Sequence, residues 1–341
     1  MKRVVVFAPG GHDALRLVEE PDPRPGPGQA LVAVRAAGVN YADVVVRLGY
    51  YEAAKGMYPI TPGFEFAGEI EAVGDGVTAF KPGDRVLGVT RFGGYASKIA
   101  APVERLFPVP AGWSLEQAAA FPAVHMTAYY ALYRAAAVAP GQTHLVHSAA
   151  GGVGMALVQL GRLGGARVIG VVGAASKRAA VEALGASGVI DRSSEDLWAR
   201  ADVLAPEGFD AIFDANGVTT PRPGFERLAR GGRLVIYGFA EILPRASEKP
   251  SRLALAWNWL RVPRFSPLDM TATNRAVMGF NVVFMFDQTD FLREAMARML
   301  AWAADGSLKP PSVTAFALDR AADAHAALEG GATIGKLVLL A

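Results

Sequence analysis

Two textures of apolar and polar positions divide the chain. Through the first third, apolar residues come in short runs rich in β-branched side chains: RVVVFA, LRLVEE, ALVAVRAAGV, EFAGEIEAVG, RVLGV and YASKIA. PGPGQ, DGV, KPGD and FGG separate them, and such turn formers punctuate an all-β unit. From about residue 123 the pattern alternates. THLVHSA, ARVIGVV, GVID, FDAIFDA and GRLVIYG read as strands, while VGMALVQLGRL, SKRAAVEALGA, SSEDLWARADVLA and TPRPGFERLAR have helical period or propensity. Alternating strands and helices predict parallel crossovers and a doubly wound sheet. A sixth strand is expected at VMGFNVVF, after a long irregular insertion. From about Lys309 the tail returns to short strands around one helix, so both chain ends are expected to complete the first domain.

Length and composition support two packed cores. The 341 residues are 52% hydrophobic and 19% charged, which leaves little room for extended disorder. Lys and Arg total 34 against 32 for Asp and Glu, a formal charge of +2. That balance gives no support to a nucleic-acid or membrane surface and points to small-molecule partners. With no Cys, disulfides, thiolate catalysis and sulfur-ligated zinc drop out together. The N-terminal MKRVVVFAPGGHD has too short an apolar run for a signal peptide, and AAAFPAVHMTAYYALY is interrupted by Pro122, His125 and Thr127. A cytoplasmic protein is expected. Glu69 and Glu71 alternate beside a turn, which predicts a solvated strand face rather than a catalytic pair.

The most informative stretch is HSAAGGVGMALVQL. It follows an apolar strand and opens an apolar-periodic helix, the context in which a glycine pattern signals a dinucleotide site. Gly154 takes the third place of GxGxxG and Gly151 the second, while Ala149 stands where the first glycine belongs. Small residues there let the backbone of Ala150, Gly151, Gly152, Val153 and Gly154 approach a pyrophosphate at the helix N-terminus. About 20 residues on, a site for NAD carries an acid that accepts from the ribose 2′-hydroxyl. This chain has Gly173 in that place, followed by Ser176, Lys177 and Arg178. A carboxylate would repel a 2′-phosphate; its absence beside donors and cations predicts NADPH. Arg192, just after GVID, joins the set because neighbouring strand ends open on one crevice. An S-adenosylmethionine site also uses a glycine turn, but it too usually holds a ribose hydroxyl with an acid.

These motifs, together with GVNYADVVVRLGYY, PGFEFAGEIEAVG, KPGDRVLG, HMTAYYALY, NRAVMGFNV and GKLVLL, resemble the zinc-free quinone oxidoreductase branch of the medium-chain dehydrogenases/reductases. Within it the sequence is most similar to the vesicle amine transport protein 1 group. The resemblance implies a GroES-like catalytic domain (1–122 and 306–341), a Rossmann NADPH-binding domain (123–305), a cofactor in the cleft, and a homodimer. It places Asn40 near the nicotinamide ribose and Thr127 near the nicotinamide. Tyr237, Gly238, Phe280 and Asn281 would line the nicotinamide end, Asn216 would add a cofactor contact, and Lys336 would close the pocket from the tail. Where zinc-dependent relatives carry GHE, this chain has Gly63, Phe64 and Glu65, and phenylalanine cannot ligate zinc. No metal site is expected among His12, His125, His144, His147 and His325. His144 and His147 are expected to fill hydrogen-bonding positions in or near the core.

Without a metal, hydrogen-bond donors must stabilise charge that develops on an acceptor oxygen. Asn40, Asp43 and Arg47 share one face of a two-turn helix at i, i+3 and i+7. Tyr51 completes the RxGxY pattern of quinone reductases, so Asn40, Tyr51 and Arg47 are the candidate catalytic residues. Asp43 and Arg47 read equally well as a surface ion pair. The insertion RLALAWNWLRVPRFSPLDM (252–270) interleaves Trp257, Trp259, Phe265 and Met270 with Arg252, Arg261 and Arg264. It reads as a lid, a subunit contact or a membrane-surface patch. The expectation is a reductase of quinones or α,β-unsaturated carbonyls. The alternatives are an enoyl-thioester reductase and an NADPH-binding scaffold that acts through partners or vesicle membranes. Solvent-exposed aromatics in 252–270 would favour the scaffold, and aromatics roofing the nicotinamide the enzyme.

Overall fold

A computed structural model describes residues 1–242 and 252–341, which form two compact units. The first comprises 1–126 and 283–341, the second 127–242 and 252–282.

In the first unit all six predicted runs form strands. Seven strands make one sheet, in the order Val313–Ala317, Lys336–Leu340, Gln29–Val39, Glu65–Val73, Arg85–Val89 and Leu106–Pro108, with Lys98–Pro102 also paired to Gln29–Val39. Lys2–Val6 and Leu15–Glu19 form a separate two-stranded ribbon. The strand Leu106–Pro108 is additional, too short at three residues for any alternation to show in the sequence. Lys336–Leu340 runs antiparallel to Gln29–Val39 with Leu337 opposite Val39, so the tail completes the first unit. Val32, Phe66, Ile70, Val86 and Leu106 pack inside. Glu69 and Glu71 face outward, paired at 3.3 Å with Arg35 and at 2.7 Å with Lys98, as the alternation predicts.

The second unit is a six-stranded sheet with every neighbouring pair parallel, in the order Gly188–Asp191, Arg167–Val172, Thr143–Val146, Phe209–Asp214, Leu228–Ile236, Ala276–Gly279. This is the doubly wound order whose direction reverses between the first and fourth strands. Leu145, Ile169, Ile190, Phe209, Ile212 and Leu234 fill its core, against which Phe265 and Met270 of the insertion pack. The sixth strand is shorter than VMGFNVVF suggested, because Val282–Met285 winds into a 3-10 turn. Residues from Val283 onward group with the first unit. Helix Thr289–Ala304 belongs to that unit: it packs beside the turn Val103–Arg105, and Arg105 meets Asp287 at 2.7 Å. Residues from Thr127, inside helix Pro122–Tyr129, group with the second unit.

One contact fixes the last helix of the first unit. Helix Tyr41–Arg47 buries Arg47 completely, and its Nη2 donates at 2.9 Å to Glu329 Oε1 on helix Ala321–Gly330. His12 Nε2 lies 2.6 Å from the other oxygen of Glu329. The expected surface pair between Asp43 and Arg47 is therefore absent: both are buried, and each has other partners. Removing one member of a buried ion pair strands the other in a poor solvent. Glu329→Ala should cost about 3–5 kcal/mol, read as a lower urea midpoint; an unchanged midpoint would show that Arg47 is solvated by other means.

Candidate functional site

In the second unit the carboxyl ends of the parallel strands gather the predicted cofactor residues. The chain leaves strand Thr143–Val146 through Ser148, which adopts φ +53°, and enters helix Gly152–Leu163 with Gly151 at its N-cap. A Cβ at Gly154 would stand 2.3 Å from the Ser148 carbonyl oxygen and 2.7 Å from Ala149 Cα, so only glycine lets helix and turn approach this closely. Ala149 in place of the first glycine is accommodated across the sheet. Its Cβ occupies the space that a side chain on Gly170 would need, 2.9 Å from where that Cβ would be. The departure from GxGxxG is thus met by a glycine on the neighbouring strand.

Gly173 is exposed at the end of strand Arg167–Val172, and Arg192 follows the adjacent strand Gly188–Asp191 with its N–H donating at 3.1 Å to the Val172 carbonyl. A Cβ on Gly173 would lie 3.8 Å from Arg192 Nε, so the guanidinium stands beside the position that lacks the acid. Among the described residues no ion pair or hydrogen bond engages the Arg192 side chain. Ser176 and Lys177 occupy the 3-10 turn Ala175–Lys177 on the same strand end. Arg178 is turned elsewhere: it donates at 2.7 Å to Glu195 and at 2.6 Å to the Val189 carbonyl. Asp191, the acid closest to this edge, is occupied by Ser193 N–H at 3.0 Å, Ser193 hydroxyl at 2.6 Å and Ser194 hydroxyl at 3.2 Å.

Further along the edge, Asn216 links two loops. Its Nδ2 donates at 3.2 Å to Thr220, and Ser148 Oγ of the glycine turn donates at 3.4 Å to its Oδ1. Asp214 holds the turn by accepting from the N–H groups of Asn216 and Gly217 at 2.7 and 2.9 Å. Tyr237 continues from strand Leu228–Ile236 into Gly238; burial, and then the Asp214 carboxylate, raises its phenol well above the usual value. Phe280 and Asn281 follow strand Ala276–Gly279, and the Phe280 ring lies 4.7 Å from that of Tyr130. Thr127, on helix Pro122–Tyr129, opens the second unit half-exposed.

His144 and His147 are fully buried on the same sheet, and burial holds both below the ordinary imidazole value, His144 at about 4. Only His144 has a hydrogen-bond partner among the described residues, Gln142 at 3.4 Å. His147 sets its ring against Trp198, 5.7 Å away, and its Nε2 lies 3.9 Å from Asp214 Oδ2, beyond hydrogen-bond distance.

The candidate catalytic residues belong to the first unit, where a polar network occupies the end of strand Gln29–Val39. Asn40 caps helix Tyr41–Arg47; its N–H donates at 2.8 Å to Asp43 Oδ2. The Asn40 amide donates through Nδ2 to Glu65 Oε1 at 2.9 Å and accepts at Oδ1 from Lys336 Nζ at 2.8 Å. Lys336 also donates to the Val39 carbonyl and pairs with Glu65 Oε1, each at 2.6 Å. The Ala123 N–H donates at 2.7 Å to the other oxygen of Glu65. Gly38 has no side chain because Glu65 fills the space; a Cβ there would fall 2.4 Å from its carboxylate. Lys336 reaches this point because the antiparallel register sets Leu337 opposite Val39.

Tyr51 lies edge-on to Phe64 at 5.6 Å and to Phe92 at 6.4 Å, and Phe64 and Phe92 are 5.5 Å apart. An aromatic cluster therefore surrounds the position that in GHE is a histidine, and among the described residues no group of three His, Asp or Glu could hold a metal ion. Tyr50 is exposed. Arg47 has no solvent-accessible surface through which an acceptor could reach it; its contact is structural. His125 is held neutral, at about 3, by burial, and its Nδ1 donates at 2.9 Å to the Phe121 carbonyl. The sequence reading missed the part played by Glu65. A single acid inside the apolar run PGFEFAG was the available signal, and the lysine at the head of KLVLL was its partner.

Burial pushes Asp43 from 3.8 up to about 7, against hydrogen bonds from the Asn40 and Gly63 N–H groups that lower it. Between those values the unfolded chain has released this proton and the native chain still holds it. Stability therefore falls as pH rises from about 4 to about 7, and this contribution is level above that. In urea titrations across this range, Asp43→Asn should flatten the slope; an identical slope in both proteins would place the ionised form in the native state.

Comparison with known proteins agrees with this architecture. Residues 26–111 match the alcohol dehydrogenase GroES-like domain family and residues 184–339 the zinc-binding dehydrogenase family. The human synaptic vesicle membrane protein VAT-1 homolog is 33% identical over 342 aligned positions that span all of this chain and 86% of that protein. The crystal structure of Escherichia coli quinone oxidoreductase complexed with NADPH superposes with a TM-score of 0.86 at 28% identity, over the full length of both chains. A mycobacterial protein complexed with NADPH gives 0.86 at 31% identity, again over both full lengths.

Proposed function

The chain belongs to the medium-chain dehydrogenases/reductases, in the zinc-free branch of quinone oxidoreductases and VAT-1 homologues, and from that membership we infer that it is an NADPH-dependent reductase of quinones or α,β-unsaturated carbonyls. The observation that carries the reading is Arg192 beside Gly173: a guanidinium lies next to the position where a site for NAD carries its acid. The two neighbours that hold NADPH in their crystals are consistent with it.

The residues present fit this cofactor. Gly154 lets the turn pack closely on the head of a 12-residue helix capped by Gly151, where unsatisfied N–H groups and the helix dipole would favour a pyrophosphate. Arg192, Ser176 and Lys177 would take the 2′-phosphate. Asn216, Thr127, Tyr237, Gly238, Phe280 and Asn281 would serve the nicotinamide end. When bound, NADPH supplies a hydride; a quinone takes that hydride and one proton, and the proton is available from solvent. In the first unit, the Asn40 amide supplies a neutral hydrogen-bond donor and Tyr51 an aromatic edge with a hydroxyl. A soft acceptor needs orientation and a donor to its oxygen more than a titrating acid.

One observation favours a second reading, in which the protein binds NADPH and acts by docking. Trp257 and Trp259 on helix Arg252–Arg261 are 63% and 64% exposed, so they do not roof a site, and Arg261 and Arg264 are exposed beside them. No helix among the described residues is long and apolar enough to cross a membrane. Lipid contact through these aromatics would be at the surface.

Binding and turnover separate the two. Fluorescence titration should give NADPH an affinity about 10- to 100-fold above NADH, and Arg192→Ala should remove most of that gap by deleting charge-assisted hydrogen bonds. NADPH should be consumed with ortho- and para-quinones or enones. Equal affinities would defeat the cofactor assignment. NADPH binding without turnover, joined to retention on anionic vesicles that Trp257→Ala abolishes, would establish the docking role instead.

A further inference from the structure

The network around Asn40 has a handedness that a free asparagine would lack. A side-chain amide can ordinarily turn its oxygen and nitrogen about with little cost, and here both ends are specified by charge. Lys336 has only hydrogens to offer, so the group 2.8 Å away must be the amide oxygen. Glu65 is engaged with Lys336 as a carboxylate, so the group 2.9 Å from its Oε1 must be the amide nitrogen. The lysine nitrogen and the amide nitrogen converge on the same Oε1, which closes a ring of hydrogen bonds. That ring consumes the Nδ2 hydrogen on the oxygen side of the amide. Nδ2 carries a second hydrogen, for which Glu65 leaves no second acceptor and no other partner lies among the described residues.

We propose that Lys336 and Glu65 are positioning residues that lock and polarise the Asn40 amide, so that its remaining Nδ2–H is a one-way donor to the oxygen of a carbonyl or quinone acceptor. This rests on the reductase reading and names its specificity. A cation on the amide oxygen and an anion on one amide hydrogen hold the group planar and fixed, and the ammonium draws electron density toward Oδ1. Such a donor favours an oxygen on which negative charge grows and rejects a ligand that presents a hydrogen in the same place. Asn40 neither gives up nor takes a proton: it is neutral before and after. The pair itself is almost removed from solvent, and its remaining capacity is met by the Val39 carbonyl and the Ala123 N–H. The buried charges are therefore satisfied without the acceptor, and in this proposal the remaining N–H of Asn40, which is half-buried, serves the acceptor.

The test combines an amide spectrum with kinetics. In 15N-labelled protein, the Asn40 side-chain pair, assigned by its loss in Asn40→Ala, should show two widely split protons, the carboxylate-bonded one downfield. The double variant Lys336→Gln with Glu65→Gln replaces the ion pair by neutral side chains of similar shape, a change buried pairs often tolerate. It should collapse that splitting and lower kcat on the order of 100-fold, as loss of an oriented oxyanion donor does, while acceptor KM and NADPH affinity stay within about threefold. Lys336→Arg, which keeps the charge, should restore most of the splitting. An unchanged splitting, or a fall in kcat that only tracks falling thermal stability and NADPH affinity, would overturn the proposal. If the wild-type protein reduces no quinone or enone, the reductase reading fails by itself; the amide spectrum then still decides whether the lock exists.

Discussion

A carboxylate removed from water must be met by a cation and by hydrogen-bond donors, and this constraint shapes the first unit. Glu65 is fully buried at the head of a strand, and the chain answers it with Lys336, brought back by the last strand, and with the N–H groups of Asn40 and Ala123. The antiparallel register of Lys336–Leu340 on Gln29–Val39 is thus tied to the chemistry of one acid. Gly38 lacks a side chain for the same reason. At the opposite end of the same helix, Arg47 and Glu329 repeat the solution, a buried charge from one end of the chain paired to the other. The second unit applies the constraint in reverse. Gly173 withholds a carboxylate, the cation Arg192 stands beside it, and an anion from outside would complete the balance.

Where zinc-dependent relatives carry a histidine, this chain carries Phe64. A divalent ion would polarise an acceptor oxygen directly, but Phe64 joins Tyr51 and Phe92 in an aromatic cluster instead. In the proposed reductase, polarisation would fall to a neutral amide, that of Asn40, held between Lys336 and Glu65. Such a donor would suffice for an acceptor already prone to reduction, the proposed quinone rather than an unactivated ketone.

Much of this was legible from sequence. The short β-branched runs and the later alternation of strands and helices correspond to the observed sheets, and the glycine turn lies where its context placed it. What escaped has identifiable causes. Leu106–Pro108 is too short for a period, and Val282–Met285 is apolar enough to resemble a strand although it turns. Asp43 and Arg47 are spaced like a surface pair, but Arg47 meets Glu329, 282 residues later, and Asp43 accepts from the Gly63 N–H. Ala149 looked like a defect in the fingerprint until Gly170 was placed against it. Periodicity reports which face a residue occupies, not which distant charge it meets; the site depends on such distant pairings.

In the proposed cofactor site, Gly173 and Arg192 would make the ribose corner of the second unit electrostatically complementary to a doubly charged phosphate. Phosphorus NMR of NADPH titrated into the protein measures this directly, since the 2′-phosphate resonance reports its own ionisation. The account predicts a resonance shifted on binding, with the phosphate remaining dianionic to lower pH than in free NADPH and losing that shift in Arg192→Ala. A bound 2′-phosphate that titrates as it does in free solution, in both proteins, would contradict it.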